Sequence, residues 1–205
     1  MDTQFYITAA VTLFVIIDPI ALVPLFIALT QGMDPVTRKH VGRRAGLIAI
    51  GLLTLFGLLG ESILDTIGIS MPAFRISGGI LLFLTALDML FERRTQRREN
   101  QHPSSSDPSV FPLATPLIAG PGAFTTMILL VGATGEWDWG HVAAIHAIMV
   151  GVVLISLLAL RLSPVIEHLL GRTGIVVITR LLGMLLAALS VQFVVDGVKG
   201  TGLIG

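Results

Sequence analysis

Long apolar runs alternate with short polar connectors along the chain. A membrane-spanning helix needs roughly 20 mostly apolar residues. Six stretches meet that requirement: residues 5–30, 45–67, 71–91, 111–133, 141–160 and 174–196. The second is the least clean, because Glu61 and Asp65 sit near its end. The pattern predicts an all-α fold, a polytopic membrane protein with six transmembrane helices. Prolines interrupt two of the runs in the same way. The first reads Asp18-Pro19-Ile20-Ala21-Leu22-Val23-Pro24 and the fourth Thr115-Pro116-Leu117-Ile118-Ala119-Gly120-Pro121. Each has a polar residue, a proline, four apolar or small residues and a second proline. Arg75-Ile76-Ser77-Gly78 and Arg180-Leu181-Leu182-Gly183 correspond likewise, each opening a long apolar stretch. The chain therefore reads as two three-helix repeats, residues 1–91 and 111–205, joined by a linker at 92–110. Three spans is an odd number, so the second repeat is expected to be inverted relative to the first, with helices 1 and 4 discontinuous.

Basic residues give the orientation. Arg38, Lys39, Arg43 and Arg44 fall in the loop after the first span, Arg93, Arg94, Arg97 and Arg98 after the third, and Arg161, Arg172 and Arg180 in the region after the fifth. The connectors after the second and fourth spans carry no base, Arg75 aside. Basic loops stay on the cytoplasmic side, so the linker is expected to be cytoplasmic and both termini periplasmic or extracellular. Trp137 and Trp139 suit the outer interface. Composition agrees: 54% of the 205 residues are hydrophobic and 13% charged, against about 45–50% and about 25% in soluble domains, and the mean hydropathy is +0.89. Cysteine is absent, which excludes disulfides, thiolate metal sites and cysteine nucleophiles. No base precedes the first run, which is also too long for a cleavable leader; a mature helix is expected there.

The paired breaks carry the candidate chemistry. A proline inside a helix removes a donor and frees the carbonyl four residues earlier. In hydrocarbon an unsatisfied carbonyl is tolerated only against protein or a wet cavity. Two matched breaks therefore mark a functional centre, or else kinks that only shape packing. Each second half-helix would start near the midplane with free amides and a partial positive charge, and each first half would end there with exposed carbonyls. A centre with poles of both signs suits a small zwitterion such as an amino acid. Candidate substrate-binding residues are Asp18, Pro19, Ile20 and Pro24 in the first break, and Thr115, Pro116, Ala119, Gly120, Pro121, Gly122, Ala123 and Thr125 in the second. Gly120, Gly122 and Ala123 would let a ligand approach the backbone, or let helices pack closely.

Asp18 is the only acid in the middle of a span. A buried membrane carboxylate is expensive; it could carry a coupling proton, hold an ammonium, or cap the second half-helix. Its mate Thr115 can cap but cannot ionise. Arg75 and Arg180 could gate the path, pair with acids such as Asp88 or Asp196, or snorkel to the interface. His146 reads as a packing residue. Thr125, Thr126, Ser77, Thr85, Ser190 and Gln192 either line a polar path or join helices.

These residues resemble a known family. Asp18-Pro19-Ile20 with Pro24, Arg75-Ile76-Ser77-Gly78-Gly79-Ile80-Leu81, Phe111-Pro112-Leu113-Ala114-Thr115-Pro116-Leu117-Ile118-Ala119-Gly120-Pro121-Gly122-Ala123, and Arg180-Leu181-Leu182-Gly183-Met184 with Gln192 and Asp196-Gly197 are similar to the MarC (UPF0056) family of bacterial inner-membrane proteins. The resemblance implies a superfamily related to LysE-type exporters, some members of which carry glycine, alanine and other small neutral amino acids with proton coupling. Ala21 replaces the family's glycine after Asp-Pro-Ile, which implies a slightly tighter site. The expectation is a proton-coupled secondary transporter of small neutral amino acids, an exporter being one of the directions open. The partners expected are the amino acid, protons and the bilayer, with a homo-oligomer left open. The alternatives are a carrier for another small solute and a structural membrane protein that transports nothing. No nucleophile elbow or zinc-binding histidine pair reads from the sequence, so no enzyme, cofactor or metal is expected, and no nucleic-acid partner. No GxxxxGK loop is present, so uphill transport would need a gradient.

Overall fold

The computed structural model describes residues 3–91, 107–134 and 137–202. Most of the linker at 92–110, with Arg93, Arg94, Arg97 and Arg98, lies outside the described residues. The described chain is helical: α1 Thr3–Ile17, α2 Leu22–Leu29, α3 Pro35–Ile67, α4 Met71–Leu90, α5 Ser109–Ile118, α6 Pro121–Val131, α7 Trp139–Arg161 and α8 Ser163–Gly200. Five stretches are long and apolar enough to cross a membrane: Thr3–Leu29, which joins α1 and α2, then α3, α4, α7 and α8. A sixth follows if α5 and α6, bent by 54°, are taken as one span.

Two helices are longer than the apolar pattern predicts. The first basic cluster does not form a loop. Asp34 caps α3, accepting from the amides of Val36 and Thr37, and Pro35 follows at the first helical position. Arg38, Lys39, Arg43 and Arg44 thus ride on the first turns of α3. Arginine and lysine are good helix formers, and hydropathy marks where the apolar part begins, not where the helix begins. The hydroxyl of Thr37, followed by its amide, holds the Asp34 carboxyl below the ordinary range. A further helical piece precedes the sixth span. α8 starts at Ser163, changes direction at Gly171 in a left-handed conformation (φ 61°), and runs on to Gly200. Gly171 separates a short helical piece at residues 163–170 from the span that follows, so Arg172 stands at the start of that span and Arg180 about two turns inside it.

The interrupted first span and α6 form the centre. In the apolar window of Thr3–Leu29, 67% of residues are buried, against 28–33% in the other four spans. Every residue of α6 from Gly122 to Val131 is buried except Phe124. The outer helices α3, α4, α7 and α8 turn Leu47, Leu55, Ile80, Leu154 and Leu181 outward, the face a bilayer covers. Trp137 and Trp139 meet edge to face at 5.2 Å, half and more exposed, at the start of α7.

α4 and α8 make the most extensive helix pair, through small residues on both. A Cβ on Gly79 would lie 2.8 Å from the Ser190 carbonyl oxygen and 3.0 Å from the Val194 amide, and one on Gly183 would lie 3.2 Å from the Ala86 carbonyl. Backbone obstacles cannot rotate away. Gly79→Val is therefore expected to lower the thermal unfolding midpoint in detergent, with a loss of about 1–3 kcal/mol typical of overpacking. Gly51→Val, at a position with nothing within 4 Å, should stay near wild type in the same melt.

Candidate functional site

The first break is built on Asp18. Its backbone is left-handed (φ 53°), a conformation that aspartate tolerates better than most residues. Its amide donates to the Phe14 carbonyl at 2.9 Å and its own carbonyl accepts from Leu22 at 3.2 Å, so it joins the last turn of α1 to the first of α2. The side chain is fully buried, and Oδ1 accepts from the Ala21 amide at 3.2 Å. Capping is thus part of what Asp18 does. Pro19 is buried, whereas Ile20 and Pro24 are half-buried.

The second break has a different backbone. Phe111 and Thr115 leave helical geometry within α5, and the Phe111–Pro112 and Thr115–Pro116 peptides are cis. The Ala119 amide closes the turn onto the Ala114 carbonyl at 2.8 Å. Gly120 then precedes Pro121, the first residue of α6, and no side chain caps that end. Proline has no N–H, and the Phe124 amide bonds the Gly120 carbonyl at 3.0 Å. The amides of Gly122 and Ala123 have no partner among the described residues. A helix start with free amides carries partial positive charge and suits a carboxylate. Gly120 is required sterically: a Cβ there would stand 2.5 Å from the Pro116 carbonyl oxygen.

A cavity of about 350 Å³ lies against this turn. Pro116, Leu117, Ile118, Gly120, Pro121, Gly122 and Ala123 form one wall; Leu81, Leu84, Thr85 and Asp88 of α4 form the other, and Ile16 of α1 completes it. Its size falls at the lower end of the range of about 300–1,000 Å³ for small-molecule sites. Five expected site residues meet here: Pro116, Gly120, Pro121, Gly122 and Ala123. The rest do not line it. Thr115 and Ala119 belong to the turn behind, and Thr125 packs its methyl against Gly78. The first break comes close without opening on the cavity: a Cβ on Gly122 would lie 3.4 Å from Ile16, two residues before Asp18.

Arg75 and Arg180 are also outside the lining, and no ion pair joins Arg75 to an acid among the described residues. Asp196 accepts instead from Gln192, at 2.8 Å. His146 lies with Nδ1 2.7 Å from the Val142 carbonyl oxygen, on its own helix. Ser77, Thr85 and Ser190 likewise donate to carbonyls one turn back, so these hydroxyls do not join helices.

Of the α4 wall, only Thr85 is among the residues expected to line a polar path. Asp88 entered the sequence reading only as a partner for arginines. Its spacing from Thr85, three residues and hence one helical face, was the available signal.

A helical chain with an apolar outer face and a buried, interrupted centre is an integral, multi-pass membrane protein. Comparison with known proteins places it more closely. Residues 3–201 match the model described as the MarC family integral membrane protein, and the chain belongs to that family. It is 38% identical over 205 residues to a UPF0056 membrane protein of Methanocaldococcus jannaschii, covering 98% of each chain. It is 33% identical to the UPF0056 membrane protein YvbG of Bacillus subtilis, over 98% of this chain and 97% of that one. With YhcE of Escherichia coli, a third UPF0056 membrane protein, the identity is 32% over 97% of this chain and 94% of the relative. No solved structure matches the chain.

Proposed function

We propose that the protein is a secondary carrier, not an enzyme, for small neutral amino acids such as glycine and alanine. The observation that carries this is one cavity lined both by the uncapped amino end of α6 and by the acidic residue Asp88 of α4. The substrate carboxylate takes the Gly122 and Ala123 amides. Its ammonium takes Asp88, with Thr85 beside it. The apolar remainder of the lining, Leu81, Leu84 and Ile16, tolerates a hydrogen or a methyl side chain. The ammonium thus goes to α4 rather than to Asp18. The breaks at residues 18–21 and 119–120 supply the flexible joints of an inverted-repeat carrier. Asp18, buried beside the site, is the group placed to couple transport to protons. The basic ends of α3 and α7 face the cytoplasm of a plasma membrane, with both termini outside.

Purified protein in liposomes is expected to exchange labelled glycine or alanine above the level of empty vesicles. Unlabelled alanine should compete, and a screen of other small solutes should not. If no amino acid is exchanged or bound, the reading fails; if only a different solute competes, the carrier function stands and the substrate class is wrong.

A further inference from the structure

A second cavity, of about 550 Å³, lies away from the substrate site, where the end of α2, the start of α3, the end of α7 and the start of α8 meet. Four cations line it, Arg38, Lys39, Arg43 and Arg161, and no acid does. Among the described residues no carboxylate comes within ion-pair distance of any of the four. Neighbouring Arg44 differs, because it pairs with Asp107. The Asp107 carboxyl is held below the ordinary range first by the Ser109 hydroxyl and amide.

The uncompensated cluster is unfavourable as it stands. Lys39 and Arg43 are like charges one helical turn apart. Arg38 and Lys39 also sit close to the positive end of the α3 dipole, where anions are favoured. Only Asp34 offsets this within the helix. Arg38 is nonetheless fixed: its Nη2 donates to the Ser163 hydroxyl at 2.6 Å, and its guanidinium lies 5.1 Å from the centroid of the Phe26 ring. A fixed guanidinium with remaining donors is a preorganised partner for phosphate.

We infer that this groove binds the headgroup of an anionic phospholipid. The phosphodiester sits among Arg38, Lys39, Arg43 and Arg161, and an acyl chain runs over half-buried Leu157 toward exposed Leu154. The apolar lining favours a lipid over a free phosphate. Leu157 and Leu160 belong to the end of the membrane-crossing α7, and exposed Leu154, one turn before Leu157, continues the apolar track along that helix toward the bilayer core. Basic pockets between spans at the membrane surface favour anionic headgroups. Gly42 keeps the floor open, with a Cβ there falling 3.6 Å from the Phe26 ring.

The test uses the full chain in detergent, observed by native mass spectrometry with phosphatidylglycerol, phosphatidylcholine or inorganic phosphate added separately. Phosphatidylglycerol should be retained preferentially, and Arg38→Gln with Arg161→Gln should weaken its retention roughly tenfold or more. Arg44→Gln, which removes the same charge nearby, should not. Thermal melts confirm that the variants are folded. Should the double variant be misfolded, Lys39→Gln with Arg43→Gln, at exposed positions, gives the same readout. Equal retention of the two lipids overturns the inference, as does unchanged retention in the folded variants. Inorganic phosphate that binds as well as phosphatidylglycerol and displaces it overturns the lipid as the occupant.

Discussion

Gly122→Val is expected to reduce amino acid exchange in liposomes by roughly 100-fold or more while the protein remains folded. A Cβ at this position would meet Leu82 Cδ2 at 3.3 Å and Ile16 Cγ2 at 3.4 Å. Leu82 Cδ2 is the end of a flexible side chain and can give by a few tenths of an ångström, and 3.4 Å to the stiffer Ile16 is already ordinary contact. The added methyls then occupy the cavity in front of the Gly122 and Ala123 amides. A ligand denied those two donors loses charge-assisted hydrogen bonds of about 1.5–3 kcal/mol each, and each 1.4 kcal/mol is about tenfold. Gly122→Ala fills less space and should keep part of the activity. Gly120 responds differently, because its obstacle is the Pro116 backbone oxygen at 2.5 Å. Gly120→Ala should therefore lower the unfolding midpoint as well as the exchange rate. Wild-type exchange by folded Gly122→Val would remove the cavity from the transport path.

The helical class and five of the apolar spans were legible because they follow from local chemistry, with a sixth if α5 and α6 are taken together. Apolar length marks a span, and proline acts on its own turn. Asp18 and Gly120 could be found from their neighbours in sequence. The ends of α3 and α8 were not legible, since residues 35–44 and 163–170 are too polar to register as membrane while remaining good helix. The Asp34 cap marks the true start of α3, and the left-handed Gly171 divides the piece at 163–170 from the span after it. The α4 wall was hidden for another reason. Which face of α4 meets α6 is set by Gly78 receiving Thr125 and Leu129, a fit between residues far apart in sequence. That fit turns Thr85 and Asp88 toward the second break. As the only mid-span acid, Asp18 stands out from the sequence for proton, ammonium or capping roles, whereas an acid closer to a helix end, such as Asp88, does not.

Asp88→Asn and Asp18→Asn separate these two carboxylates. Asp88→Asn is expected to weaken glycine and alanine binding roughly tenfold to 100-fold, the equivalent of one hydrogen bond to a charged group at about 1.5–3 kcal/mol. Glycinamide, which keeps the ammonium and lacks the carboxylate, should lose the competition it shows against wild type. Asp18→Asn should leave binding within about threefold, because an asparagine oxygen still accepts from the Ala21 amide and asparagine also tolerates the left-handed backbone. Its effect should fall instead on the response of exchange to an imposed pH gradient. Asp18→Ala lacks the cap and should lower stability by about 1 kcal/mol. The reverse result, with binding lost in Asp18→Asn and kept in Asp88→Asn, would move the ammonium from α4 to the junction of α1 and α2. Isothermal titration on detergent-purified variants measures the binding, and the liposome exchange measures the coupling. The two roles can therefore be told apart even if one variant transports nothing.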